Sequence, residues 1–396
     1  MQLPQDRKTS APPSRPEIGR PHRKLYRRSA RAGLSGLAAA LAMVVIVSRV
    51  HSDSGIQIVE DLPLRRASAA VWSPDGKRIA TLSRLFTHVT IWDVESRRAI
   101  HEFDAPLQGC NCLRFTPDGN FIVTPADRHP TEDHHATLIL WDAETGERAR
   151  EIPGPLPDKP AGYNAARLFA ISRDGKQLAL SAGGVLALYV DQNWTTPVPL
   201  ELETDHVYEN DSATALEFSP DGRQFAVGTA GDRGPGSCGS RLYLFDAATR
   251  KIIWKKQLFE TEICNIHAVA FSPDGRFIAA GLGPTFRSQR RPDGTWERVV
   301  TANPLLILEP PTGDVIRTMP EATEQIWSMS WSPDGATLAA TQDDRSIRFW
   351  SMNNPDQRPK RLELSGAAMS VSFAPGGLRF VATDEARAII GEVSGE

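Results

Sequence analysis

An all-β ring of seven small antiparallel sheets is the fold this sequence predicts, and three observations predict it. A hydrophobic stretch followed by Ser-Pro-Asp-Gly or a close variant recurs seven times, starting at Ser73, Thr116, Ser172, Ser219, Ser272, Ser332 and Ala374, with spacings of 43, 56, 47, 53, 60 and 42 residues. A unit of this length is one sheet of four short strands, which cannot cover its own faces, whereas seven such sheets arranged radially cover one another. The last unit stops after three strands, and an orphan strand stands ahead of the first, at residues 55–62.

The first unit shows how each is written. Residues 69–72 read as the innermost strand, 77–82 as the second, 89–92 as the third and 98–103 as the outermost. In the intervening turn Pro74 presets φ, Asp75 bonds the local backbone and Gly76 permits positive φ. The third strand recurs at residues 138–141, 186–190, 242–245, 305–308, 347–350 and 388–390. Both faces of a middle sheet meet neighbours, so both are free to be apolar. Large residues at Trp92, Trp141, Phe245 and Trp350 suit the wide gap between sheets far from the axis, and core packing is the reading for each.

This pattern resembles the WD-repeat family of β-propellers over residues 55–393. Literal Trp-Asp pairs stand at Trp92-Asp93 and Trp141-Asp142, and Asp246 follows Phe245 in the same place. The resemblance implies a seven-bladed β-propeller of four-stranded antiparallel blades, with the N-terminal strand completing the last blade. It also implies a toroid whose loops and rim bind proteins or peptides, usually without catalysis. Two departures stand out. The family's Gly-His pair is absent from all seven units, and its turn aspartate is clearly matched only by Asp344, six residues before Trp350. Stability is therefore expected to rest more on apolar packing than on a buried His-Asp network.

Ahead of the repeats the composition changes. Residues 1–31 hold nine Lys or Arg against Asp6 and Glu17 and are rich in proline, a composition that builds no core and reads as a disordered tail. Residues 32–48 follow without a charge. As a helix they rise roughly 25 Å, and Arg31 and Arg49 extend outward along their stems to match a hydrocarbon core of about 30 Å. A single-pass helix over residues 32–50 is the expectation, with the N-terminus cytoplasmic because the positive charge precedes it. The propeller, residues 55–396, then lies on the extracytoplasmic side. The competing reading is a cleaved secretory signal, against which stands the length of the stretch and the lack of a clear small-x-small site after it. In the resembled fold the closing strand starts on the face carrying the Ser-Pro-Asp-Gly turns, so that face is expected near the membrane.

Long insertions fall at residues 125–136, 231–240 and 283–303, all between second and third strands, and the resemblance puts all three on the opposite face. Long loops on a rigid ring commonly carry recognition. The insertion in the fifth unit holds Phe286, Arg287, Arg290, Arg291, Trp296 and Arg298, anchors suited to a protein or acidic peptide; a lid, or an extra hairpin around Pro292-Asp293-Gly294, is the alternative. The insertion in the second unit holds Asp127, His129, Asp133, His134 and His135, residue types that ligate divalent metals in a spacing that fits no established site. Four cysteines in this length make no disulfide framework.

The net charge is −3 with acidic and basic residues interleaved, so no nucleic-acid partner is implied. No nucleophile elbow, phosphate loop, His-Glu-x-x-His or dinucleotide glycine pattern appears, and no cofactor is expected. The reading is a membrane-anchored scaffold for a protein or peptide partner. The alternative is a propeller enzyme, a metal-dependent hydrolase or oxidoreductase, with Glu217, Asp232 and Asp127 approaching the channel mouth.

Overall fold

The computed structural model describes residues 55–62, 67–83, 88–105, 112–126, 136–155, 166–182, 185–191, 193–202, 213–230, 240–258, 265–283, 285–292, 294–302 and 304–394. They belong to a compact unit spanning Arg49–Glu396. The expected tail at 1–31 and span at 32–50 lie outside the described residues, and no helix among those described is long and apolar enough to cross a membrane.

The chain enters through β1 (Ile56–Leu62). Blade 1 then runs β2 (Ala67–Trp72), β3 (Arg78–Ser83), β4 (His88–Asp93) and β5 (Ala99–Asp104) from the axis outward. Blade 2 is β6 (Arg114–Phe115), β7 (Phe121–Pro125), β8 (Ala136–Asp142) and β9 (Arg148–Pro153). Blade 3 is β10 (Ala166–Ile171), β11 (Leu178–Ala182), β12 (Val185–Tyr189) and β13 (Pro197–Leu200), and blade 4 is β14 (Ala213–Phe218), β15 (Gln224–Thr229), β16 (Arg241–Asp246) and β17 (Ile252–Gln257). Blade 5 begins with β18 (Ile266–Phe271) and β19 (Ile278–Leu282), then detours through a separate ribbon, β20 (Thr285–Arg290) and β21 (Trp296–Ala302), before resuming with β22 (Leu305–Leu308) and β23 (Val315–Thr318). Blade 6 is β24 (Ile326–Trp331), β25 (Thr337–Gln342), β26 (Ser346–Ser351) and β27 (Lys360–Glu363). Blade 7 holds β28 (Ala368–Phe373), β29 (Arg379–Asp384) and β30 (Ala388–Val393), and its fourth strand is β1, antiparallel to β30 from Ile56↔Val393 to Leu62↔Ala388. The expected seven-bladed propeller and its closure by the N-terminal strand are both present.

Apolar side chains collect between blades. Seven buried clusters each join two neighbouring blades: Trp92 packs in the 7/1 layer, Trp141 in 1/2, Phe245 in 3/4 and Trp350 in 5/6. The second strands feel neighbours on both sides, so all five residues of β11 and all five of β19 are buried. Around the axis, polar bonds stitch the innermost strands together. Thr214 Oγ1 donates to the Ile266 carbonyl (2.6 Å), Ser330 Oγ accepts from the Phe373 amide (3.0 Å) and Ser370 Oγ accepts from the Ala70 amide (3.1 Å). Trp331 Nε1 reaches the Ala270 carbonyl (3.2 Å) and Trp72 Nε1 the Ser372 carbonyl (3.1 Å).

The Ser-Pro-Asp-Gly turns are closed motifs. In blade 4 Ser219 Oγ donates to Asp221 Oδ1 (2.6 Å) and accepts from the Gln224 amide (3.0 Å), Asp221 accepts from the Arg223 amide (3.0 Å), and Gly222 takes φ +70°. The same hydroxyl–carboxylate bond forms at Ser73, Thr116, Ser172, Ser272 and Ser332. Blade 7 has Ala374-Pro375-Gly376-Gly377 and keeps only the backbone bond from Ala374 to Arg379.

The polar framework is richer than the sequence suggests. Trp92 Nε1 donates to Thr81 Oγ1 and Trp141 Nε1 to Thr124 Oγ1, both at 2.8 Å. Each threonine stands two residues past the cross-strand partner of its tryptophan, Ile79 and Ile122. In blade 6 that offset lands on Ala340, so Trp350 donates instead to the Pro320 carbonyl (2.8 Å). The aspartates after the aromatics cap the next turn: Asp93 accepts from the Ser96 amide (2.7 Å), Asp142 from Thr145 (2.8 Å) and Asp246 from Thr249 (2.6 Å). Asp344 accepts from Ser346 and from Arg348 Nη2 (2.8 Å). Asp344 is not alone. Asp384, six residues before Ile390, is buried and accepts from Ser365 Oγ (2.8 Å) and the amides of Ala386 (2.7 Å) and Arg387 (2.8 Å). It escapes a sequence search keyed on tryptophan because its third strand carries isoleucine.

Candidate functional site

The propeller has two unlike faces. Ser-Pro-Asp-Gly turns and the start of β1 mark one, the turn face. The connections between second and third strands open onto the other, the loop face, with the β20–β21 ribbon among them. The axial channel between them encloses about 570 Å³ and is lined by the innermost strands.

At its loop-face mouth, among the described residues, the channel is lined by the second residue of five innermost strands: Ser68, Thr214, His267, Trp327 and Met369. Trp327 is 43 % exposed, unusual for so large an apolar side chain on a rigid strand. Its Nε1–H donates to Asp343 Oδ1 at 3.1 Å, which fixes the ring. The His267 ring lies 4.9 Å from it at 48°, and His267 Nε2 meets Gln325 Nε2 at 3.1 Å. Burial lowers the His267 pKa, outweighing the opposite pull of Asp343. A neutral imidazole is then what accepts the amide N–H of Gln325. The result is a preorganised aromatic step with one anionic edge.

The root of the blade-5 insertion adjoins this step, with the Gly283 amide bonding the Asn265 carbonyl at 3.1 Å. The insertion is a hairpin, the alternative weighed from Pro292-Asp293-Gly294. Its register pairs Phe286 with Val300, Ser288 with Arg298 and Arg290 with Trp296, so positions 286, 290, 296 and 298 share one face of the ribbon and Arg287 lies on the other. Arg290 and Arg291 are exposed, and Arg290 Nε donates to the Gly294 carbonyl at 3.4 Å. The candidate metal residues Asp127, His129, Asp133, His134 and His135 lie outside the described residues, as does Asp232. Among the described residues no cluster of metal-ligating side chains forms. Glu217 does line the channel, as its strand position implied. Trp327 was missed by the sequence reading. The signal was a tryptophan at the strand's channel-mouth position, where the other blades carry smaller residues.

Three segments, residues 97–142, 257–285 and 313–351, match the WD domain, G-beta repeat. The seven four-stranded blades give the chain a β-propeller fold, and these three segments are what it shares in sequence with that repeat. The β-propeller domain of Cps50 (Swd1) from Myceliophteria thermophila superposes with a TM-score of 0.59 over 86 % of this chain and 100 % of that one, at 17 % identity. In sequence the chain is 23 % identical to a component of eukaryotic translation initiation factor 3 of Xenopus laevis, over 72 % of this chain and 37 % of the relative. It is 24 % identical to an uncharacterized WD repeat-containing protein of Synechocystis sp., over 42 % of this chain and 40 % of the relative. It is 23 % identical to echinoderm microtubule-associated protein-like 3 of Homo sapiens, over 63 % of this chain and 28 % of the relative. The chain thus spans well under half the length of these curated relatives.

Proposed function

We propose that the protein is a membrane-anchored scaffold whose loop face binds a protein or peptide partner. The observation that carries this reading is the exposed indole of Trp327, held by Asp343 and backed by His267 at the channel mouth. Leaving an aromatic of that size in water costs free energy that docking recovers, and tryptophan dominates the energy of many interfaces. The ribbon of blade 5, which carries arginine and aromatic residues in its sequence, is rooted beside the same mouth through the Gly283–Asn265 bond. In this reading residues 32–50 hold the chain in the bilayer with residues 1–31 cytoplasmic.

Proximity labelling in cells with the full chain, Trp327→Ala, and a chain whose residues 285–302 are replaced by a short turn tests this. Trp327→Ala should lower recovery of the principal partner at least tenfold, in line with a hot-spot loss of about 2 kcal/mol, while leaving the melting curve in place. Full recovery from both variants overturns the loop-face assignment. A reporter fused at each terminus checks topology: protease access to the C-terminal but not the N-terminal reporter in intact cells is the expected outcome.

A further inference from the structure

A second feature lies inside the channel, apart from the loop-face mouth. The residue just before the last one of each innermost strand defines a level near the turn face. At that level blade 2 carries Arg114 and blade 4 carries Glu217, both lining the channel. The other channel-lining residues there are small or modest: Val71, Ala270, Ser330 and Ser372. Ser330 is committed to the Phe373 amide, and the Ser372 carbonyl to Trp72. The two charged groups are not committed. Glu217 accepts no hydrogen bond from any described residue, and Arg114 makes one long bond, from Nη1 to the neighbouring Leu113 carbonyl at 3.5 Å. No ion pair joins them, although Arg114 stands near enough for its charge to act on Glu217.

Glu217 is half-buried and the Arg114 side chain is exposed, both lining the channel, and desolvation pushes the Glu217 pKa up against the opposing pull of Arg114. A carboxylate in such a place ordinarily finds a cation. The guanidinium is held apart from it, on another blade, with free donors of its own. One kind of molecule satisfies both groups without moving either: a solute with an anionic and a cationic end.

We propose that the channel is a binding site for a small zwitterion, its carboxylate on Arg114 and its ammonium on Glu217. Each end forms a charge-assisted bond of roughly 2.7–2.9 Å, and the guanidinium takes a carboxylate in two-pronged fashion. The small side chains at this level leave the space the molecule occupies. The spacing between the two groups, being fixed by the ring, selects the length of the ligand. The site is independent of the partner surface at the other end of the channel.

Isothermal titration of the purified full chain tests this, with glycine, β-alanine, 4-aminobutyrate and 6-aminohexanoate as a series of increasing charge separation, and acetate and methylammonium as half-ligands. One member of the series should bind at least tenfold more tightly than either half-ligand. Arg114→Gln and Glu217→Gln should each weaken it at least tenfold, and the exchange R114E/E217R should restore it to within threefold. Glu217→Asp withdraws the carboxylate by one methylene, so the preferred ligand should become the next longer in the series. That variant keeps every charge and remains informative if the neutral variants fold poorly. Absence of preference for any zwitterion over the half-ligands overturns the proposal, and so does an optimum unmoved by Glu217→Asp.

Discussion

Gly281 and Gly228 show how closely one blade is fitted to the next. A Cβ placed on Gly281 would stand 2.5 Å from Ile326 Cγ2, and one on Gly228 would stand 2.5 Å from Ile266 Cγ2. Both isoleucines are the first residue of the following blade's innermost strand. Where that first residue is alanine, at Ala213 and Ala67, the equivalent wall position is larger: Ser181 and Thr383. Volume is therefore conserved across the interface rather than within a blade. Isoleucine is stiff at χ1, so it has no easy retreat. Gly281→Ala should cost about 1–3 kcal/mol by overpacking. Paired with Ile326→Ala, the loss should fall short of the sum of the single losses by about 1 kcal/mol or more, because each change relieves the other. Urea denaturation of the four proteins measures this, and strict additivity would contradict the proposed fit. Such pairing is invisible to a reading that takes one repeat at a time, since the partners sit in different repeats.

Turns and strands were the most legible elements. The hydroxyl, carboxylate and glycine of each Ser-Pro-Asp-Gly copy close a local hydrogen-bonded loop, so sequence alone placed them. The two-stranded ribbon was less legible, because its Pro-Asp-Gly tip competes with a lid or an irregular loop until pairing partners are known. The threonine partners of Trp92 and Trp141 depended on cross-strand register, and the pinning of Trp327 depended on a turn residue sixteen positions away. The turns also set the response to acid. The aspartates at 75, 118, 174, 221, 274 and 334 are all held below their ordinary pKa: burial works against this, and hydrogen bonds donated by the turn outweigh it. At Asp221 the bond from Ser219 is the largest cause. With folded values depressed below a free value of about 3.9, the unfolded chain binds more protons over that range. The stabilisation is therefore present above about pH 4 and is lost as pH falls through the folded values. Asp221→Ala should cost about 1 kcal/mol at pH 7, and the gap to the unaltered protein should close toward pH 3. A gap that stays constant with pH would show that the carboxylate charge is not what the turn uses. The turn of blade 7 has Gly376 at this position and so carries no such carboxylate.

The whole ring depends on a strand drawn from the far end of the chain. Ile56 packs in the layer between blades 6 and 7, and Leu62 packs in the layer between blades 7 and 1, so β1 bridges two interfaces at once. Its ends are fastened by Asp61 to Arg387 (2.6 Å) and by the Ser394 amide to the Gly55 carbonyl (2.7 Å). Removing residues 55–62 leaves β30 as an open edge and exposes apolar faces on both sides of blade 7. Loss of the two buried side chains alone is worth about 2–5 kcal/mol each. The deletion should therefore lower the urea midpoint sharply and shift the protein to aggregates on size-exclusion chromatography; an unchanged midpoint would mean that the ring does not need this strand. The geometry also supplies a rescue. β30 ends on the turn face where β1 begins, with Ser394 and Gly55 already bonded to each other. Residues 55–62 appended after Ser394 through a two- to four-residue turn would form with β30 an ordinary hairpin with the same register. Stability should return, since the same side chains fill the same two layers. Folding should also become faster than in the unaltered chain, because a contact separated by more than three hundred residues becomes a local one, and loop-closure entropy no longer has to be overcome before the last blade is completed. Stopped-flow refolding separates the two effects: recovery of the midpoint without acceleration would show that closure by β1 follows the rate-limiting step rather than forming part of it.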